Sequence, residues 1–241
     1  MYSKKYSSLF LVVGVMSFYS HLFGQENSAG NKEMFIAFDM AIGEVNTAIY
    51  SGAEYIEKHR MINENHKFFQ SREFVPSTVD YAGQTFFNIP LKYNVFEDLV
   101  IVNPQDRKIQ NGFRLFDNQL QGFDYNGRSF VNISSAGAKT SGIHEMLFED
   151  KNFQVLKKYR LKEKMIRKDS YVHYEFRAQK PTYFFLYKGE YRELNRRNLL
   201  QAFPDQRTIV LDNFRNFRKQ SGERRDRSAV VLFQTLSQIK N

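Results

Sequence analysis

Between Thr47 and Glu193, apolar residues recur in short runs that alternate with polar ones and break at turn residues. "SYVHYEFR" sets Val172, Tyr174 and Phe176 against Tyr171, His173 and Glu175, the period of two expected of a half-buried strand. "QTFFNIPLKYNVFEDLVIV" (Gln84–Val102) is rich in strand formers. Its Pro90 cannot donate to a ladder and is expected at an edge or a bulge. "GFRLFDNQLQGFDY" runs into Asn126-Gly127, and "GIHEMLFEDKNFQVLKKYRLKEK" reads as a hairpin turning near Asp150-Lys151-Asn152. "PTYFFLY" enters a last hairpin.

One nine-residue pattern is written twice, as "YAGQTFFNI" from Tyr81 and "YNGRSFVNI" from Tyr125. Its core, Tyr-x-Gly, also starts at Tyr50 and Tyr187, so the intervals are 31, 44 and 62 residues. A propeller or solenoid needs a nearly fixed period, so these are similar hairpins rather than copies of a module. Asn126-Gly127 is a strong signal for a type I′ turn, which needs positive φ at both central residues. Ala82-Gly83, Ser51-Gly52 and Lys188-Gly189 are weaker versions of it.

After Leu194 the period lengthens. Asn195 can cap a short helix, "RRNLLQAF", that stops at Pro204. "DQRTIVLDNFRNFRKQ" spaces Val210, Phe214 and Phe217 on one stripe. "DRSAVVLFQTLSQIK" does the same with Ala229, Leu232 or Phe233, Leu236 and Ile239, and both fit helices docked on a core. "SGERRDR" between them reads as a polar loop. Residues 26–46 are ambiguous among strand, helix and arm.

Strands followed by helices argue for an α+β protein and against a doubly wound parallel sheet. The expected layout is a mainly antiparallel meander of hairpins over 47–193, as a sheet or partly closed barrel. A helical C-terminal region, 194–241, should pack on it. An outer-membrane barrel is disfavoured, because the strands are charged and "SQIKN" ends the chain after predicted helices.

Composition adds an address. Lys4 and Lys5 precede the apolar "LFLVVGVMSFY", and "SHLFGQEN" offers a cleavage region, so residues 1–25 are expected to be a secretory signal peptide. The chain has no Cys, which removes disulfides, thiolate metal sites and a cysteine nucleophile. The formal charge is +9, but unevenly placed. From Glu26 to Leu156 there are 12 basic and 17 acidic residues, whereas the stretch from Lys157 onward nets +12.

Candidate chemistry is sparse. Gly-x-Ser-x-Gly, a Walker-type loop, His-Glu-x-x-His and an EF-hand loop are all missing from the sequence. His59, His66, His144 and His173 have no metal-ligand spacing, so no metal or other cofactor is expected, and they read as surface or strand-packing residues. Glu97 and Asp98 are adjacent, which on a strand sends them to opposite sides, and they read as a solvated turn. "KKYRLKEKMIRK" is the densest signal: Lys157, Lys158, Arg160, Lys162, Lys164, Arg167 and Lys168 against a single acid, Glu163. Such a run can bind polyanions or simply be a solvated face paired with the acidic half. Strand alternation would divide it between two faces.

Three stretches, "YAGQTFFNIPLKYNVFEDLVIV", "GIHEMLFEDKNFQVLKK" and "YFFLYKGEYRELNRRNLLQAF", together resemble a family of uncharacterised exported proteins of Bacteroidota-type bacteria. In that family a Tyr-x-Gly strand precedes an "LkYD"-like segment, and here Asn94 stands at the Asp; His144 lies near a usual aromatic. The resemblance covers Tyr50 to the C-terminus and implies export and the β-then-α order, without an activity. The resulting expectation is an exported envelope protein, periplasmic or secreted and peripheral to the outer membrane, acting as a non-catalytic binding or structural module. Its partner would be an anionic envelope surface or another envelope protein, not a specific nucleic acid. The alternatives are an envelope hydrolase with a site assembled from distant residues, and a polyanion binder using the basic second half.

Overall fold

The computed structural model describes residues 33–37, 47–62, 64–104, 112–134, 140–168 and 170–240. The expected signal segment lies outside these residues, as does most of 26–46, of which 33–37 form a helical turn. After a 3-10 turn at Ala48–Tyr50 come β1 (Ala53–Glu54), β2 (Val75–Tyr81), β3 (Gln84–Asn94), β4 (Leu99–Val102), β5 (Phe113–Arg114) and β6 (Leu120–Tyr125). They are followed by β7 (Arg128–Ile133), β8 (Gly142–Glu149), β9 (Gln154–Lys158), β10 (Leu161–Lys168), β11 (Tyr171–Ala178), β12 (Thr182–Tyr187) and β13 (Glu190–Glu193). The helices α1 (Arg196–Ala202), α2 (Arg207–Lys219) and α3 (Gly222–Lys240) close the chain. Eleven strands form one antiparallel sheet in the order β1-β5-β4-β3-β2-β6-β7-β8-β9-β12-β13, while β10 and β11 pair apart from it. The class is α+β, as expected, and the sheet is not closed into a barrel.

Three of the Tyr-x-Gly motifs are the type I′ hairpins expected of them. Both central residues lie at positive φ in Ala82-Gly83 (52° and 78°), Asn126-Gly127 (48° and 72°) and Lys188-Gly189 (51° and 79°). The fourth is not a hairpin. Ser51, at φ −80°, closes the 3-10 turn, and Gly52 is needed because a Cβ there would stand 2.1 Å from the Arg114 carbonyl oxygen. Pro90 is likewise neither on an edge strand nor within a bulge. It sits opposite Pro76 in the interior strand β3, so neither strand has an N–H to lose at that point. The β2–β3 register shifts next to this pair, between Ser77 and Val79, and Asn88 turns to φ 59°.

One row of directly opposite residues crosses seven strands from β3 to β12: Phe86, Val79, Phe123, Phe130, Glu145, Lys157 and Tyr183. Opposite partners share a face, and every member of the row is buried. At its start lies the first core, where Phe69, Tyr93, Phe123 and Phe130 meet. The Tyr93 and Phe130 rings are 5.6 Å apart. Their strands are separated by β2 and β6, about 14 Å across a flat sheet at the usual strand spacing, so the sheet must curl for those rings to touch. At the row's other end is the second core, which the helices cover. There Phe153, Val155, Tyr183 and Phe185 pack against Leu199, Val210, Phe214, Phe217, Leu232 and Phe233.

Asn195 caps α1 by accepting from the Asn198 N–H, and the expected stripes of α2 and α3 are buried except for Ile239. "SGERRDR" corrects to helix from Gly222, leaving only Gln220 and Ser221 between α2 and α3. Arg and Glu are good helix formers, and Arg225 donates back to the Phe217 and Arg218 carbonyls at the end of α2. Those carbonyls have no partner within their own helix. Truncating Phe233→Ala should cost about 3–5 kcal/mol in urea unfolding. Ile239→Ala should cost within about 0.5 kcal/mol; equal losses would contradict the packing.

Candidate functional site

The run Lys157–Lys168 is divided by the fold. Lys157, at the end of β9, points into the seam between the two cores. Its Nζ lies 2.7 Å from Asp226 Oδ2 of α3 and 3.8 Å from Glu145 Oε2. The Tyr183 hydroxyl donates to the other Asp226 oxygen at 2.7 Å, the Tyr159 hydroxyl to Glu145 at 2.6 Å, and Arg128 to Glu145 at 2.6 Å. Burial first, and then these carboxylates, push both tyrosine hydroxyls up, so they remain donors. Lys157 is thus consumed by structure, because an unpaired buried charge would be strongly destabilising.

Lys158 points the other way, 2.5 Å from Asp98 Oδ2, and also donates to the Ser141 carbonyl. Burial pulls its pKa down, and Asp98 opposes the shift. Asp98 further accepts from the Tyr93 hydroxyl and the Ile143 N–H, so the β3–β4 turn arches across to β8 and β9. Glu97 turns instead to Asn94 and to Lys67. The two carboxylates diverge and lie in the β3–β4 turn, as expected, with Glu97 exposed and Asp98 half-buried; what the turn reading did not contain is that each also holds a lysine, Glu97 the buried Lys67 and Asp98 the half-buried Lys158. Lys67, 0% exposed, also meets Glu57 at 2.8 Å and His59 Nδ1 at 2.9 Å.

His144 is fully buried beside Phe184. Its Nδ1 lies 2.8 Å from the Gly142 carbonyl and its Nε2 2.7 Å from Thr140 Oγ1. A carbonyl can only accept, so Nδ1 carries the proton and Nε2 accepts from the threonine. Burial, with Lys158 nearby, lowers the His144 pKa to about 4. It is a packing histidine, as its strand position suggested.

The remaining basic residues stay in solvent. Arg160 is exposed between β9 and β10. In the β10–β11 hairpin, Lys162, Lys164 and Lys168 lie on one face with Tyr171, His173, Glu175 and Arg177 opposite them, whereas Arg167 lies on the other with Met165 and Val172. The inner part of that other face packs on the body: His59 stacks edge-on against Tyr174 and Phe176. Arg60, Ile62 and Asn65 hydrogen-bond along the free edge of β11, with Tyr174 N–H to the Arg60 carbonyl, Ile62 N–H to the Tyr174 carbonyl and Phe176 N–H to the Asn65 carbonyl. Arg60 thereby joins the outward face, its guanidinium 4.3 Å from the Tyr171 ring centroid. The face carries Arg60, Lys162, Lys164, Lys168 and Arg177, with Glu175 as its carboxylate, 3.0 Å from Arg177. Residues two apart on a strand stand about 6.6 Å apart, so Lys162 and Lys164 are neighbours along this face.

Nothing in the run Lys157–Lys168 signalled Arg60, because it reaches the face through a bridge from 97 residues before it. Comparisons of the chain with protein-family models, with curated proteins and with solved structures found no match. Among the described residues no three His, Asp or Glu side chains are grouped to hold a metal ion.

Two stability measurements separate the structural charges from the surface ones. Asp226→Ala should cost about 3–5 kcal/mol by stranding Lys157, and pairing it with Lys157→Met should recover most of that loss in urea unfolding. An uncharged buried His144 binds protons more weakly than in the unfolded chain, so stability falls as pH drops below the unfolded pKa. Its share should be about 2 kcal/mol between about pH 7 and about pH 5. His144→Gln should flatten the pH dependence by that amount; an unchanged slope would place the imidazole in water.

Proposed function

We propose that the protein is an exported, non-catalytic binding module of the cell envelope that contacts an anionic lipid surface through the outward face of the β10–β11 hairpin. The observation that carries this reading is the sorting of the basic run. Lys157 and Lys158 are neutralised inside, while Lys162, Lys164 and Lys168 gather with Arg60 and Arg177 on one exposed face. Export rests on the expected signal segment and on the family resemblance.

Cations on one face attract an anionic membrane by about 1 kcal/mol each near the surface, decaying over a Debye length. The same face carries Tyr171, 57% exposed, opposite Lys168. Tyr favours the headgroup level, where an apolar ring and a polar tip are both accommodated. A hairpin apart from the sheet can press this face on a membrane without disturbing either core.

The test is partitioning onto lipopolysaccharide-containing and neutral vesicles at low and moderate salt. Lys162→Gln/Lys164→Gln/Lys168→Gln should weaken binding to the anionic vesicles on the order of a hundredfold at low salt, and added salt should weaken the native protein. A variant with the same loss of charge on the helices, Arg215→Gln/Arg218→Gln/Lys219→Gln, should bind nearly as the native chain does. Equal loss in both variants would make the attraction a net-charge effect and remove the hairpin from it.

A further inference from the structure

A separate cleft of about 430 Å³ opens beside β3 and β4, between the segment 55–61 and the stretch that enters β2. Its apolar walls are Met61, Phe68, Phe74 and Ile101. Three cationic side chains belong to this neighbourhood, and their fates differ. Lys67 is fully buried and neutralised by Glu57 and Glu97. Lys92 stands 4.1 Å from the Phe74 ring centroid and 5.5 Å from that of Phe68, yet makes no hydrogen bond or ion pair with any described residue. Arg72 also lines the cleft, and its Nε is buried without a hydrogen-bond partner.

Neither Lys92 nor Arg72 has an ion-pair partner among the described residues. Burial is the main cause of the lowered Lys92 pKa, and Arg72 adds to it, while Glu73 and Glu57 oppose it. The nearby His66 is lowered as well, by burial and then by Arg72, with a smaller effect of Lys92. Two partly desolvated cations that repel each other, beside aromatic rings, gain most from a shared anion. Arg offers planar paired donors, and Lys a point charge, for one carboxylate. The carboxylates of Glu57 and Glu73 in the same lining would repel a multiply charged ligand. With Glu57 paired to Lys67, the lining keeps Lys92 and Arg72 against the single carboxylate of Glu73, so one negative charge on an apolar body matches both that excess and the walls, and the volume is that of small-molecule pockets.

We propose that this cleft binds a small monocarboxylate, with Lys92 and Arg72 holding the carboxylate and Phe68, Phe74, Met61 and Ile101 enclosing the apolar body. The site is independent of the hairpin face. The probe is 3-phenylpropanoate, compared with its neutral amide and with phenyl phosphate, followed through the Met61 and Ile101 methyl signals by NMR on the full-length protein. The carboxylate should shift both methyls at millimolar concentration and bind at least about tenfold more tightly than the amide. Lys92→Met and Arg72→Gln should each abolish that preference while leaving the amide's weak binding unchanged. Arg72→Lys should keep part of it, because the charge remains and the fork is lost. The hairpin triple variant should bind the carboxylate as the native protein does. Equal binding of acid and amide, tighter binding of phenyl phosphate, or no shift at either methyl would each overturn the proposal.

Discussion

The contact between Glu145 and Lys157 lies toward the β12 end of a row that is otherwise apolar or aromatic, and the two cores meet there. On the β7 side the row continues through Phe130 and Phe123 into the first core; on the β12 side it ends at Tyr183 beneath the helices. Two charges in such a place cost more to desolvate than their attraction returns unless every remaining donor and acceptor is met. Arg128, Tyr159, Tyr183 and Asp226 meet them. Because Asp226 comes from α3, the pair also specifies where that helix lies on the sheet, a job that apolar packing alone does loosely.

The same sheet face explains why the protein has two cores and one fold. Aromatic rings from strands three places apart can meet only on a curled sheet, and the curl leaves β8, β9 and β12 presenting a second apolar surface for the helices. At the end of the arch, Asp98 ties the β3–β4 turn to Lys158 and to the start of β8 by side-chain bonds instead of ladder bonds. The sheet is thus drawn in without closing.

Against that frame, charge acquires three meanings. Lys67, Lys157 and Lys158 are structural, each neutralised by carboxylates. Lys162, Lys164 and Lys168 are solvated and gathered, which supports the reading of a surface-contacting hairpin. Lys92 and Arg72 are neither, since they are partly desolvated and lack an ion-pair partner among the described residues. A count of basic residues merges these classes, although the physics of each is different. Only the second and third classes can give up free energy to a ligand.

Short-range chemistry made much of the fold legible from the residues. Asn126-Gly127 takes its turn because both positions tolerate positive φ, the alternation of "SYVHYEFR" places its strand, and Asn195 caps α1, since each effect acts within a few residues. The failures share the opposite property. Gly52 looked like a turn but answers to the Arg114 carbonyl 62 positions later, Pro90 is accommodated by Pro76 across the ladder, and "GERRDR" is helical partly because its Arg225 reaches the end of α2. By itself the sequence determined the antiparallel class, the local turns and the change to helices at the end. Tertiary structure alone decided which lysines are neutralised, that Arg60 joins the basic face, and that Lys92 and Arg72 share one cleft, because burial and ion pairing depend on neighbours the chain brings in from far away.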